Sequence, residues 1–159
     1  MNGIAGKIAI GLVGTGMAAA VATVAVGPRV AEWYDGRHQE QASYASGSEA
    51  KADRSSMPTW LPDNASSVRY LMSTTGDDRL LRATVPEGRL PAGCTTTATA
   101  KGTHLAPVTL KAGWFPEGVT SKVTGSCGHY RVTLTGNQLY AWQDGAAVQA
   151  ALRAERLPR

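Results

Sequence analysis

The chain has 159 residues, enough for one globular domain with some chain outside it and too few for a multidomain enzyme. Charged residues are 18% of it and aromatics 6%, Phe115 is the only phenylalanine, and Ile4, Ile8 and Ile10 are the only isoleucines, so a core has to be built from Val, Leu, Ala, Met, Tyr and Trp. Most of the net charge of +4 falls in residues 61–159, where 11 bases meet 7 acids without a run of Lys or Arg, so no electrostatic track for phosphate backbones exists and no nucleic-acid partner is expected.

From Ile8 to Gly27 the chain carries no charged residue, and at helical rise this is about 30 Å, the thickness of a hydrocarbon core. Residues 1–27 are therefore expected to be a transmembrane anchor that meets the plasma membrane through residues 8–27, with the N-terminus cytoplasmic and the rest outside. A signal peptide cleaved near Ala20-Val21-Ala22, leaving a freely secreted protein, is the other expectation. The apolar run continues past that site to the length of a span, which favours the anchor. Residues 28–57, with Pro28 and then Gln, Ser, Ala, Gly and mixed charges, have the composition of a flexible linker. Trp33 and Tyr34 fall where interfacial aromatics sit at headgroup level.

The folded part is expected over residues 58–159. Val68, Tyr70 and Met72 alternate with Arg69, Leu71 and Ser73, and after the turn-rich Thr74-Thr75-Gly76-Asp77-Asp78 a second run from Arg79 to Val85 completes a hairpin. The alternation of Val108, Leu110, Ala112 and Trp114 predicts another strand, ended by Pro116. Tyr130–Thr135, Gly136-Asn137 and Gln138–Trp142 read as a hairpin with a type II′ turn. In that register Leu134 faces Leu139 and Val132 faces Ala141 on the core side, while Arg131, Thr133, Tyr140 and Trp142 share the other face. Asp144 is placed to cap a closing amphipathic helix over Ala146–Leu157, ended by Pro158. The fold class is α+β: a transmembrane helix, a flexible linker, then a small antiparallel sheet domain with a C-terminal helix and one disulfide.

That disulfide is Cys94–Cys127, since these are the only two cysteines and both follow a segment that should deliver them to an oxidising compartment. Ser126-Cys127-Gly128-His129 also invites comparison with envelope enzymes that activate a thiolate by an imidazole. In L,D-transpeptidases, however, the His–Gly pair precedes the nucleophile, and a bridged sulfur cannot attack. His38, His104 and His129 share no short metal-ligand spacing, so neither a metal nor a cofactor is expected, nor any catalytic set. Asp77 and Asp78 are read as turn residues rather than calcium ligands. The candidate binding face is Arg131, Tyr140 and Trp142, joined by Trp60 and Trp114, because exposed aromatics beside an arginine can stack on sugars or grip a peptide. The competing reading has the C-terminal helix lying across that face and making it a second core layer.

Trp60-Leu61-Pro62-Asp63, Ser73–Leu81, Pro91-Ala92-Gly93-Cys94, Trp114-Phe115-Pro116, Cys127-Gly128 and Tyr140-Ala141-Trp142-Gln143 together resemble short membrane-anchored or secreted proteins of actinobacteria, over about 100 residues. The resemblance implies an envelope location, the Cys94–Cys127 pair and a bacterial source; it carries over no catalytic or ligand residue. The expected function is a single-pass, extracytoplasmic, non-enzymatic binding or accessory module of the cell envelope, meeting an envelope protein or wall polymer. A hydrolase or transferase using Cys127 and His129 is the expectation from a different class.

Overall fold

In this computed structural model residues 36–97 and 108–156 are described, within a unit running from Asp35 to Arg159. The expected anchor, with Trp33 and Tyr34, lies outside the described residues. Among those residues no helix is long and apolar enough to cross a membrane.

The elements in chain order are β1 (Gln39–Ser46), α1 (Gly47–Asp53), β2 (Ser66–Ser73), β3 (Arg79–Thr84), β4 (Cys94–Thr96), a 3₁₀ turn (Glu117–Ser121), β5 (Gly125–Cys127), β6 (Tyr130–Thr135), β7 (Gln138–Gln143) and α2 (Gly145–Arg156). The strands form one 7-stranded sheet in the order β1-β2-β3-β7-β6-β5-β4, and every neighbouring pair is antiparallel. The α+β class, the antiparallel sheet, the closing helix and the disulfide are thus as the sequence predicts.

The linker assignment needs correcting. Part of the stretch 28–57 is structured, because β1 pairs with β2 from Gln39↔Ser73 to Ser46↔Ser66 and α1 follows directly. The Ser46 hydroxyl caps α1 by accepting from the Glu49 amide at 3.1 Å, and Glu49 reaches back to the Ala45 amide at 3.0 Å, a reciprocal capping arrangement. The folded unit therefore begins before Pro58.

The β6–β7 register is the predicted one, with Leu134 opposite Leu139 and Val132 opposite Ala141. Gly136 has φ +57° and Asn137 is not left-handed, which fits a turn with its left-handed residue first. Gly128 at φ +58° begins an equally short connection between Cys127 and Tyr130. Hence Gly128-His129 in the Cys-Gly-His sequence is a hairpin turn, with His129 exposed at its tip.

Period-2 alternation gives the sheet two apolar faces. On the first, Val68, Tyr70, Leu81, Ala83, Val132, Leu139 and Ala141 are buried under chain that runs through α1 and on to β2, including Ala50, Met57, Leu61 and Ala65. On the second, Leu71, Leu80 and Trp142 pack against Leu110, Trp114, Phe115 and Val123. Residues 108–114 alternate as a strand would yet form none. They serve instead as an irregular cover: Leu110, Trp114 and Phe115 turn onto the sheet, and the Trp114 indole donates to Gln41 Oε1 at 3.2 Å.

At the far end α2 is capped as expected, the Ala147 amide donating to Asp144 Oδ1 at 2.7 Å. Asp78 Oδ1 accepts from the Gly145 amide at 3.1 Å and from the Thr109 hydroxyl at 2.9 Å. The Asp77-Asp78 pair thus ties the β2–β3 turn to the start of α2.

Candidate functional site

The residues singled out from the sequence do not form one surface. Arg131, Trp142 and Tyr140 do lie on the second face, in the register Arg131↔Trp142 and Thr133↔Tyr140. Trp142, however, is 2% exposed and Trp114 is 9% exposed. Phe115 sits edge-on to both Tyr140 and Trp142, with ring centroids 5.7 and 6.2 Å away. The cover over this part of the face is the 108–123 segment, supplied from between the cysteines, rather than the C-terminal helix. Trp60 belongs to the other side, edge-on to Tyr130 at 5.4 Å. Arg131 alone remains exposed. The aromatic residues were correctly paired in register, but their apolar area is largely spent on packing.

Cys94 and Cys127 are directly opposite each other on β4 and β5 and are joined, with a Cα–Cα distance of 4.2 Å. Cys127 is fully buried. Ser126, Gly128, His129, Arg131, Trp142 and Asp144 line a small cleft of about 290 Å³ beside it. Thiolate chemistry at Cys127 would first require that bridge to be broken.

A larger cleft, of about 620 Å³, is formed by two loops that flank the first face. One loop, leading to β2, supplies Trp60, Pro62 and Asp63; the other, after β3, supplies Pro86, Glu87, Arg89 and Pro91. Proline-rich loops hold their shape at small entropic cost, since each ring already fixes φ. The lining is mixed, with Trp60, Leu61, Leu90 and the prolines beside Lys51, Asp63, Asn64, Glu87 and Arg89. Charge sits on the rim as two ion pairs, Lys51–Asp63 at 2.6 Å and Arg89–Glu87. Such exposed pairs contribute little to stability and leave their charges available to a ligand.

Trp60 is half-buried in this wall, and its Nε1 is buried with no hydrogen-bond partner among the described residues. An unpaired buried donor of this kind costs about 1–3 kcal/mol. Beneath it lies a buried polar pair. The Tyr70 hydroxyl donates to the Ser56 carbonyl at 3.1 Å, and burial, with the Tyr70 hydroxyl alongside, pushes the Tyr130 phenol far above its ordinary value.

At the open end of α1 the Arg54 guanidinium bonds Glu40 at 2.6 Å and the Tyr44 hydroxyl at 2.7 Å. Arg54 holds the Glu40 carboxyl below its usual range, and burial raises the Tyr44 phenol, aided by its 2.6 Å hydrogen bond to Asp53. This cluster closes β1 onto α1 and every member is engaged.

Sequence reading identified Trp60 but missed Lys51, Asp63, Glu87, Arg89, Pro86 and Pro91. The available signal was the density of proline in the two loops, at Pro58, Pro62, Pro86 and Pro91. No family model, curated protein or solved structure matches the chain.

Proposed function

We propose that this protein is a non-enzymatic binding module of the cell envelope, held at the outer face of the plasma membrane through residues 8–27, and that the cleft between the 59–64 and 85–92 loops receives a segment of an envelope protein or wall polymer. The observation that carries the reading is the cleft itself: its volume of about 620 Å³ lies within the range typical of ligand sites, and its lining sets Trp60 and prolines beside charged side chains. The Cys94–Cys127 bridge supports the compartment, because structural disulfides persist where the environment is oxidising. The resemblance to anchored or secreted actinobacterial proteins points the same way.

The test is co-sedimentation of the full chain with isolated cell wall, together with crosslinking in intact cells through the exposed rim. Arg89→Ala and Glu87→Ala, both at exposed positions, should lower retention about tenfold, the loss of one good contact, while leaving the circular dichroism spectrum unchanged. Retention that is absent in both assays, or that ignores both substitutions, would overturn the reading.

A further inference from the structure

Beyond its most buried row, the second face carries a row of unusual composition that is exposed at Ser43 and Arg69 and half-buried at Arg82 and Tyr140. Where Gln41, Leu71, Leu80 and Trp142 form one row across the sheet beneath the irregular cover, the next row is Ser43, Arg69, Arg82 and Tyr140. Arg69 and Arg82 are Cα partners on β2 and β3. Directly opposed residues have Cβ atoms about 5 Å apart on the same face, and like charges placed so are destabilising. Proteins ordinarily relieve such a pair with a carboxylate. Here neither guanidinium has an acidic partner among the described residues, whereas Arg54, Arg79 and Arg89 each do.

Arg82 is nevertheless held in place. Its Nε donates to Gln138 Oε1 at 3.1 Å, Gln138 Nε2 in turn donates to the Thr84 hydroxyl at 2.7 Å, and the guanidinium carbon lies 5.9 Å from the centre of the Tyr140 ring. A side chain fixed through Nε and stacked on a ring keeps its two Nη groups for something else, in the planar fork that matches an oxyanion. Arg69 across from it is exposed. The arrangement therefore has one positioned, half-buried guanidinium, one exposed and adaptable guanidinium, and a half-buried positioning residue, Gln138.

We infer that Arg69 and Arg82 form a binding site for a phosphate group, the common anion whose double charge neutralises both guanidiniums at once. This site lies on the opposite side of the sheet from the proline-lined cleft and does not depend on it. An anion bridging the pair converts a repulsion into two charge-assisted contacts, so binding is read directly as stability.

The experiment is thermal unfolding of the full chain at pH 7.5 in phosphate, acetate and chloride at matched ionic strength, which removes general screening from the comparison. Phosphate should raise the midpoint by about 2–4 °C over chloride, with acetate close to chloride. Arg69→Gln should raise the midpoint in chloride, because the repulsion is gone, and abolish the phosphate increment. Gln138→Ala should reduce that increment, taken as the difference between the phosphate and chloride midpoints of the same variant, because Arg82 then loses the bond that positions it. Equal midpoints in phosphate and chloride, an acetate effect as large as that of phosphate, or a phosphate effect that survives Arg69→Gln would each overturn the inference.

Discussion

The two faces of this sheet bury their apolar residues in different ways. The first is closed by chain adjacent in sequence: α1 and the loop after it return directly to β2, and aliphatic side chains such as Leu61, Val68, Leu81 and Leu139 fill the space. The second is closed by an excursion of chain between β4 and β5 whose described part, residues 108–124, is mostly irregular and relies on aromatic rings meeting edge to face. Regular structure satisfies its own backbone, whereas an irregular cover must be pinned at points. Here the pins are the Trp114–Gln41 bond, the Thr133 hydroxyl, and the bridge that joins the strands from which the excursion leaves and to which it returns.

This contrast can be broken most severely at the disulfide. With its cysteines 33 positions apart, the chain-entropy model assigns it about 4 kcal/mol. Unfolding in denaturant with and without reductant should show a loss of that size. Hydrogen exchange after reduction should rise first in residues 108–123, with the β2–β3 amides following; simultaneous exchange of both would show that the cover has no stability of its own to lose.

The first face carries its own weakness at high pH. The Tyr130 phenol is raised above the ordinary 10.0, so the native protein keeps a proton that the unfolded chain releases. Stability should accordingly be flat through Tyr130's range below pH 10 and fall above it, by up to about 1.4 kcal/mol per pH unit. In a denaturation series from pH 8 to 11.5, Tyr130→Phe should flatten that decline, and an unchanged slope would assign it to other groups.

A smaller effect separates the faces again. Thr133 is 1% exposed, and its hydroxyl lies 2.7 Å from the Val119 carbonyl oxygen and 3.0 Å from that of Lys122. Thr133→Val keeps the shape and removes the donor, for a cost of about 1 kcal/mol. Its signature should be faster amide exchange confined to the 3₁₀ turn and its flanks. A uniform increase across β2, β3 and β7 would mean that the cover and the sheet open together.

Much of this fold is legible in the sequence where local chemistry and tertiary packing agree. Gly136-Asn137 between alternating runs fixes a register, Asp144 announces a helix, and a lone pair of cysteines announces a bridge. β1 escaped detection because Gln-Glu-Gln-Ala-Ser-Tyr-Ala-Ser is an edge strand that buries little of itself, and α1 because its buried residues are only Gly47 and Ala50. Residues 108–114 misled in the opposite sense: alternation records which side chains turn inward, and an unpaired cover resting on a sheet alternates as a strand does. The cleft was the least legible part, since its walls come from two loops about 25 residues apart whose only shared mark is proline.

The bridge also determines how the molecule responds to tension. A pull applied between the start of β1 and the end of α2 passes from Cys94 to Cys127 through the sulfurs, so the excursion between them carries no load. At about 3.5 Å per residue, the bridge withholds roughly 110 Å of contour length from the extended chain. Fully extended, the oxidised chain is shorter than the reduced one by that length.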